Sequence, residues 1–128
     1  MKYKIILIED DQDNFDIIET VLSMEGFEVI RSNEEKLTET IAVVEPSLIL
    51  LDNWLKTTLG SELCKSIKNN KHIRQIPILL ISAATGLEKI AVECQADGFI
   101  NKPFEIDELC ATINNAIQKY ARISATLN

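Results

Sequence analysis

Four apolar runs in this 128-residue sequence end on residues able to do chemistry. Tyr3 to Ile8 stops abruptly at Glu9-Asp10-Asp11. Ser47 to Leu51 stops at Asp52, Ile76 to Ile81 runs into Ser82, and Gly98 to Ile100 is followed by Asn101-Lys102-Pro103. Carboxylates, a hydroxyl and an ammonium are the groups needed to bind a hard cation, to attack as an oxygen nucleophile and to pair with an anion. If Glu9, Asp10 and Asp52 met, each pair at about 4 Å would cost roughly 4 kcal/mol at an effective dielectric of 20. Lys102 offsets part of that. A divalent ion offsets the rest, and oxygen ligands of this kind suit Mg²⁺. The bland alternative is that each acid only caps a helix or ends a strand in solvent. Its weakness is that four strand ends carry such groups together.

The elements that must position these residues follow from hydrophobic periodicity. The isoleucine-rich Tyr3–Ile8 run reads as a strand buried on both faces. Asp11, Gln12 and Asp13 offer capping chemistry for a helix whose stripe is Phe15, Ile18 and Leu22, widened by Ile17, Val21 and Met24. Gly26 stops it. Phe27 to Ile30 is a shorter, more polar strand. Ser32 or Asn33 caps a helix with Leu37, Ile41 and Val44 on one face, and Pro46 ends that helix. After Asp52, a loop with Gly60 leads to a helix built on Leu63, Cys64 and Ile67. Gly86 to Cys94 is a short helix with Leu87, Ile90 and Ala91. The last helix starts near Glu105 and shows Ile106, Leu109, Ile113, Ile117 and Tyr120.

Strand and helix therefore alternate five times, which implies right-handed crossovers and a doubly wound parallel sheet with helices on both faces. Ligands of such sheets bind outside the carboxyl ends of the strands, where the strand order reverses. The flavodoxin-like order 2-1-3-4-5, taken from that fold rather than from these residues, sets strands one and three side by side. It would bring Glu9, Asp10 and Asp52 together, with Ser82 and Lys102 beside them.

Composition narrows the alternatives. The net charge of −7 would repel a phosphate backbone, so nucleic-acid binding is not expected. Lys65, Lys68, Lys71 and Arg74 read as a solvated helix face and loop. Cys64, Cys94 and Cys110 are widely spaced and His72 is the single histidine, which leaves zinc without ligands. The thiols read as small core residues of a reducing cytosol. Neither a signal peptide nor a membrane span of about 20 apolar residues is expected. A cytoplasmic single domain over 1–128, with a core of about 2–121, is the expected organisation.

At these residues the chain resembles the response-regulator receiver family. Lys4-Ile-Ile-Leu-Ile-Glu-Asp-Asp11 is similar to its first strand and acidic pair, and Leu50-Leu-Asp-Asn-Trp54 with Gly60 to its phosphorylation-site loop. Ile81-Ser-Ala83 is similar to its switch hydroxyl strand, and Gly98-Phe-Ile-Asn-Lys-Pro-Phe104 to its lysine-proline motif. The resemblance runs from about Lys2 to about Tyr120. It implies a phosphorylation-dependent signalling switch that accepts a phosphoryl group on Asp52 without being a turnover enzyme. Mg²⁺ would be held by Asp10, Asp52 and the Trp54 carbonyl, with Glu9 on a metal-bound water. Lys102 would pair with phosphoryl oxygens. Ser82 would bond one of them after transfer and Phe99 would move inward with it. The Lys102–Pro103 bond would be cis. The implied partners are a sensor histidine kinase or histidine phosphotransfer protein and a downstream protein. The readout face would be helix four, strand five and helix five. A monomer or weak dimer is expected, acting with no output domain of its own, or as part of a larger regulator or hybrid kinase.

Departures from the family pattern are equally specific. Lys56 stands where proline is common, Phe99 replaces the usual tyrosine, and the stretch from Ser82 to Lys102 is about two residues short. Trp54 and the small Ala84 flank the expected approach of a hydrolytic water. Both predict a long-lived phosphorylated form, unless Trp54 turns outward. A hydrolase using an aspartyl phosphate wants a second acid two residues after the nucleophile, where Trp54 sits. A receiver that never takes phosphate would not need the acid–lysine set.

Overall fold

A computed structural model of the chain describes residues 2–127, and the side chains through residue 121. The strands are β1 (Lys4–Ile8), β2 (Glu28–Arg31), β3 (Leu48–Asp52), β4 (Ile78–Ser82) and β5 (Gly98–Asn101). The helices are α1 (Gln12–Met24), α2 (Leu37–Val44), α3 (Gly60–Lys68), α4 (Leu87–Glu93) and α5 (Ile106–Leu127). All four strand pairings are parallel, in the order β2-β1-β3-β4-β5.

The two-residue period of the strands splits the core in two. Ile5, Leu7, Leu48, Leu50, Leu79 and Ile81 face α1 and α5, meeting Phe15, Ile18, Leu22, Leu109 and Ile113. Ile6, Ile8, Ile49, Leu51, Ile78 and Leu80 face α2, α3 and α4, meeting Leu37, Ile41, Cys64, Ile67 and Leu87. This is why the central strands read as continuous apolar runs, whereas β2 at the edge is only partly covered. The pairing of Ile8 with Leu51 aligns the ends of β1 and β3, which sets Glu9 beside Asp52.

Local signals act as expected at several ends. The Asp11 carboxylate accepts from Asn14 N at 2.9 Å and caps α1. Gly26, at φ +93°, takes the left-handed conformation that turns the chain into β2.

Four expectations are corrected. Ile17 and Met24 do not widen the α1 stripe: they are 57 % and 81 % exposed, because the sheet covers one narrow face of the helix. Ile106 and Tyr120 are likewise exposed, ahead of and beyond the Leu109–Ile117 stretch of α5 that packs on the sheet. Neither Ser32 nor Asn33 is the cap residue of α2. Asn33 accepts from Lys36 N in the turn before the helix, and Ser32 pairs with Thr40. Lys68 is not solvated. Its ammonium is tucked under the loop to β4, bonded to Arg74 O, Ile76 O and Asp97 Oδ2 at 2.8 to 3.0 Å.

Cys64 and Cys94 are buried against the α3–α4 side of the sheet, and the Cys64 thiol donates to the Cys94 carbonyl at 3.4 Å. Burial, reinforced by the neighbouring Cys94, pushes the Cys64 thiol well above its ordinary range. Cys110, on α5, is only partly covered.

Candidate functional site

The carboxyl ends of β1 and β3 open into a cavity of about 750 Å³ whose lining includes Glu9, Asp10, Asp52, Trp54, Lys56 and Lys102. Glu9 and Asp52 are buried, and Asp52 is 6 % exposed. The Lys102 ammonium reaches across from the end of β5, 3.1 Å from Glu9 Oε1 and 3.6 Å from Asp52 Oδ1. The Lys102–Pro103 peptide is cis. The second acid of the pair, Asp10, accepts a hydrogen bond from the main-chain nitrogen of Lys56 at 2.5 Å.

Burial raises the Asp52 carboxyl from its usual 3.8 to about 6, helped by the Glu9 carboxyl within hydrogen-bonding reach. The Lys102 ammonium and the Trp54 N–H pull the other way without cancelling the rise. At Asp52, burial and the Glu9 contact together outweigh what Lys102 contributes.

The loop after β3 is closed on itself. Gly60 N donates to Asn53 O at 2.9 Å, and Trp54 and Leu59 form an antiparallel bridge. Gly60 is needed for contact rather than conformation, since a Cβ there would lie 2.3 Å from Asp52 O. The buried Asn53 accepts from Ser61 N at 3.0 Å and so ties the end of β3 to the start of α3. Asn53 escaped the sequence reading. Its one signal is its place between Asp52 and the helix-initiating Gly60, and its partner eight residues on is visible only in the folded loop.

The other expected residues stand further back. Ser82 is fully buried, with its oxygen accepting from Ala84 N at 3.1 Å, so the hydroxyl proton keeps its freedom to donate. Ala84 is partly covered. Phe99 is partly buried and packs with the α3–α4 core rather than in the cavity. Trp54 is 61 % exposed and stands at the cavity rim.

The donor set suits a small hard cation bound in the open. Among the described residues no three acidic, histidine or cysteine side chains gather into one group able to hold a metal. Glu9, Asp10 and Asp52 bring hard carboxylate oxygens to the edge of one open cavity. That setting suits an ion such as Mg²⁺, which keeps part of its hydration.

Comparison with known proteins agrees with the geometry. The family described as "Response regulator receiver domain" matches residues 5–114. The sensory transduction protein BceR of Halalkalibacterium halodurans is 32% identical over 120 residues, covering 91% of this chain and 51% of the relative. The transcriptional regulatory protein GltR of Pseudomonas aeruginosa is 31% identical over 118 residues, covering 90% and 49%. The chain thus spans about half the length of these curated relatives. Among solved structures, the receiver domain protein (CheY-like) of Methanospirillum hungatei JF-1 superposes with a TM-score of 0.82 over 95% of this chain and 98% of the other, at 22% identity, a likeness of fold. Among the described residues no helix is long and apolar enough to cross a membrane.

Proposed function

We propose that this chain, which belongs to the response regulator receiver domain family, takes its phosphoryl group on Asp52. Members of that family are phosphoacceptor switches of two-component signalling and not, in general, turnover enzymes. The observation that carries the assignment is the meeting of Glu9, Asp10, Asp52 and Lys102 at one cavity over the ends of β1 and β3.

An Asp52 oxygen attacks phosphorus, forming an acyl phosphate as the bond from phosphorus to the donor breaks. Such transfer rests on positioning and charge neutralisation more than on covalent help. Asp10, Asp52 and the Trp54 carbonyl would hold Mg²⁺, with Glu9 on its water; the ion, when bound, would neutralise charge on carboxylates and phosphoryl oxygens. Lys102, 3.6 Å from Asp52, is placed to exchange its carboxylate partners for a phosphoryl oxygen. The Ser82 hydroxyl, whose proton is uncommitted, supplies a bond available only in the phosphorylated state. A contact of that kind can shift a pre-existing equilibrium, with Phe99 following it. Trp54 and Ala84 tune loss of the group.

The donor is a sensor histidine kinase or histidine phosphotransfer protein. A downstream protein reads the face of α4, β5 and α5. Residues 1–128 act as one receiver unit, a cytoplasmic monomer or weak dimer whose acidic surface does not itself bind nucleic acid. Intact-mass measurement after incubation with acetyl phosphate and Mg²⁺ tests the assignment. One added phosphoryl group is expected, absent in Asp52→Asn; full labelling of that variant would place the acceptor elsewhere.

A further inference from the structure

The carboxylate of Asp10 is met from outside its own strand by a main-chain donor: Lys56 N lies 2.5 Å from Asp10 Oδ2. The Lys56 side chain is exposed, so it is the peptide and not the ammonium that reaches Asp10. The aim of that peptide is built into the loop. The Trp54–Leu59 bridge and the Gly60 N to Asn53 O bond fold residues 55–58 back over the end of β1. From the far side, the Thr57 hydroxyl donates to the Glu34 carboxylate and anchors the loop to the segment before α2.

We infer that the N–H of Lys56 is a positioning donor for Asp10, fixing the carboxylate so that Oδ1 stays directed to a cation in the cavity. The inference rests on the reading of Asp10 as a metal ligand. A charge-assisted bond from a backbone N–H orients a carboxylate strongly, and groups that orient a ligating side chain govern affinity nearly as much as the ligand does. Proline, common at this place in the family pattern, has no N–H and is the one genetically encoded residue that cannot make this bond. The chain therefore carries a donor that most substitutions at position 56 preserve.

That property gives a clean test. Mg²⁺ is titrated into wild type, Lys56→Ala and Lys56→Pro, with fluorescence of the single tryptophan, Trp54 at the cavity rim, as the readout. Lys56→Ala should bind as wild type does, and Lys56→Pro about 10- to 100-fold more weakly. An amide-to-ester replacement at residue 56 removes the same donor without a proline ring and should reproduce the loss. Melting of the metal-free proteins supplies the control for loop strain. Lys56→Pro should melt below Lys56→Ala, and the gap should close when both carry Asp10→Ala. Equal Mg²⁺ affinity of the alanine and ester proteins, or a melting gap undiminished by Asp10→Ala, overturns the inference. Failure of wild type to bind Mg²⁺ at all would instead remove the metal reading itself, and the positioning role with it. In that case the melting cycle would still report the Lys56–Asp10 bond separately.

Discussion

Two lysines in this molecule meet acids at opposite ends of the sheet, and they do so differently. Lys68, near the amino ends of β4 and β5, spends all three of its donors: Arg74 O, Ile76 O and Asp97 Oδ2 each accept one, and its side chain is 9 % exposed. Asp97 is committed as well, since the oxygen that meets Lys68 also accepts from Ile78 N. Lys102, at the carboxyl ends, makes one hydrogen bond to Glu9 and a longer approach to Asp52, and it borders an open cavity. A saturated lysine fastens elements together. An unsaturated one beside crowded carboxylates is available to something that arrives.

The sharpest test of that contrast exchanges the charges for neutral side chains. Lys68→Met should destabilise the fold by about 2–3 kcal/mol, because two carbonyls and a carboxylate lose a charged donor together. Lys102→Met should change stability far less, yet abolish or severely slow labelling by acetyl phosphate. Denaturant melts and mass spectrometry read the two effects independently. Similar melts for the two variants would erase the distinction.

The burial of Asp52, with Glu9 beside it, predicts a pH dependence of definite sign. Burial, helped by Glu9, pushes the Asp52 carboxyl in the folded protein from its usual 3.8 up to about 6. Between those values the folded state holds the extra proton, so this group favours folding at low pH and the benefit is lost as pH rises through 6. Asp52→Asn should remove that component. The metal-free variant should be more stable than wild type at pH 7, by on the order of 2 kcal/mol. The Asp52→Asn difference should shrink toward zero as pH falls to about 4. Melts across pH 4 to 8 check both statements.

The smallest effect belongs to the cavity rim. Trp54 stands largely in solvent, so the shielding it would give a phosphoryl group on Asp52 is at most partial. Trp54→Ala should speed decay of the phosphorylated protein by less than about 10-fold, under roughly 1.4 kcal/mol in the barrier. Decay equal to or slower than wild type would take that role from Trp54 while leaving Asp52 untouched.

The same contrast shows what a sequence carries. Glu9, Asp10, Asp52 and Lys102 were legible because each stands where an apolar run stops, while the strand order that sets those stops side by side came from the resembled fold. Lys68 was not legible. Within a run of Lys65, Lys68, Lys71 and Arg74 nothing marks the one whose helix face meets the start of β4, and Asp97 lies 29 residues away. Asn53 and the Lys56 amide escaped for a related reason. One has its partner across a closed loop, and the other acts through a peptide group that every residue but proline possesses. Helix edges such as Ile17 and Met24 misled in the opposite direction, since periodicity gives a stripe but not the width that the sheet will cover.

The paired thiols under α3 and α4 have a practical consequence. Cys64 and Cys94 are almost wholly inaccessible, while Cys110 is partly open. A thiol-directed alkylating reagent should therefore mark Cys110 in the native protein. It can reach the other two only during openings that lift the helices from the sheet. Where closing outpaces alkylation, the labelling rate of Cys64 and Cys94 relative to a free thiol is the population of the opened protein. The chain thus contains its own stability gauge, usable without denaturant and in crude extracts, against which phosphorylated and unphosphorylated forms can be compared.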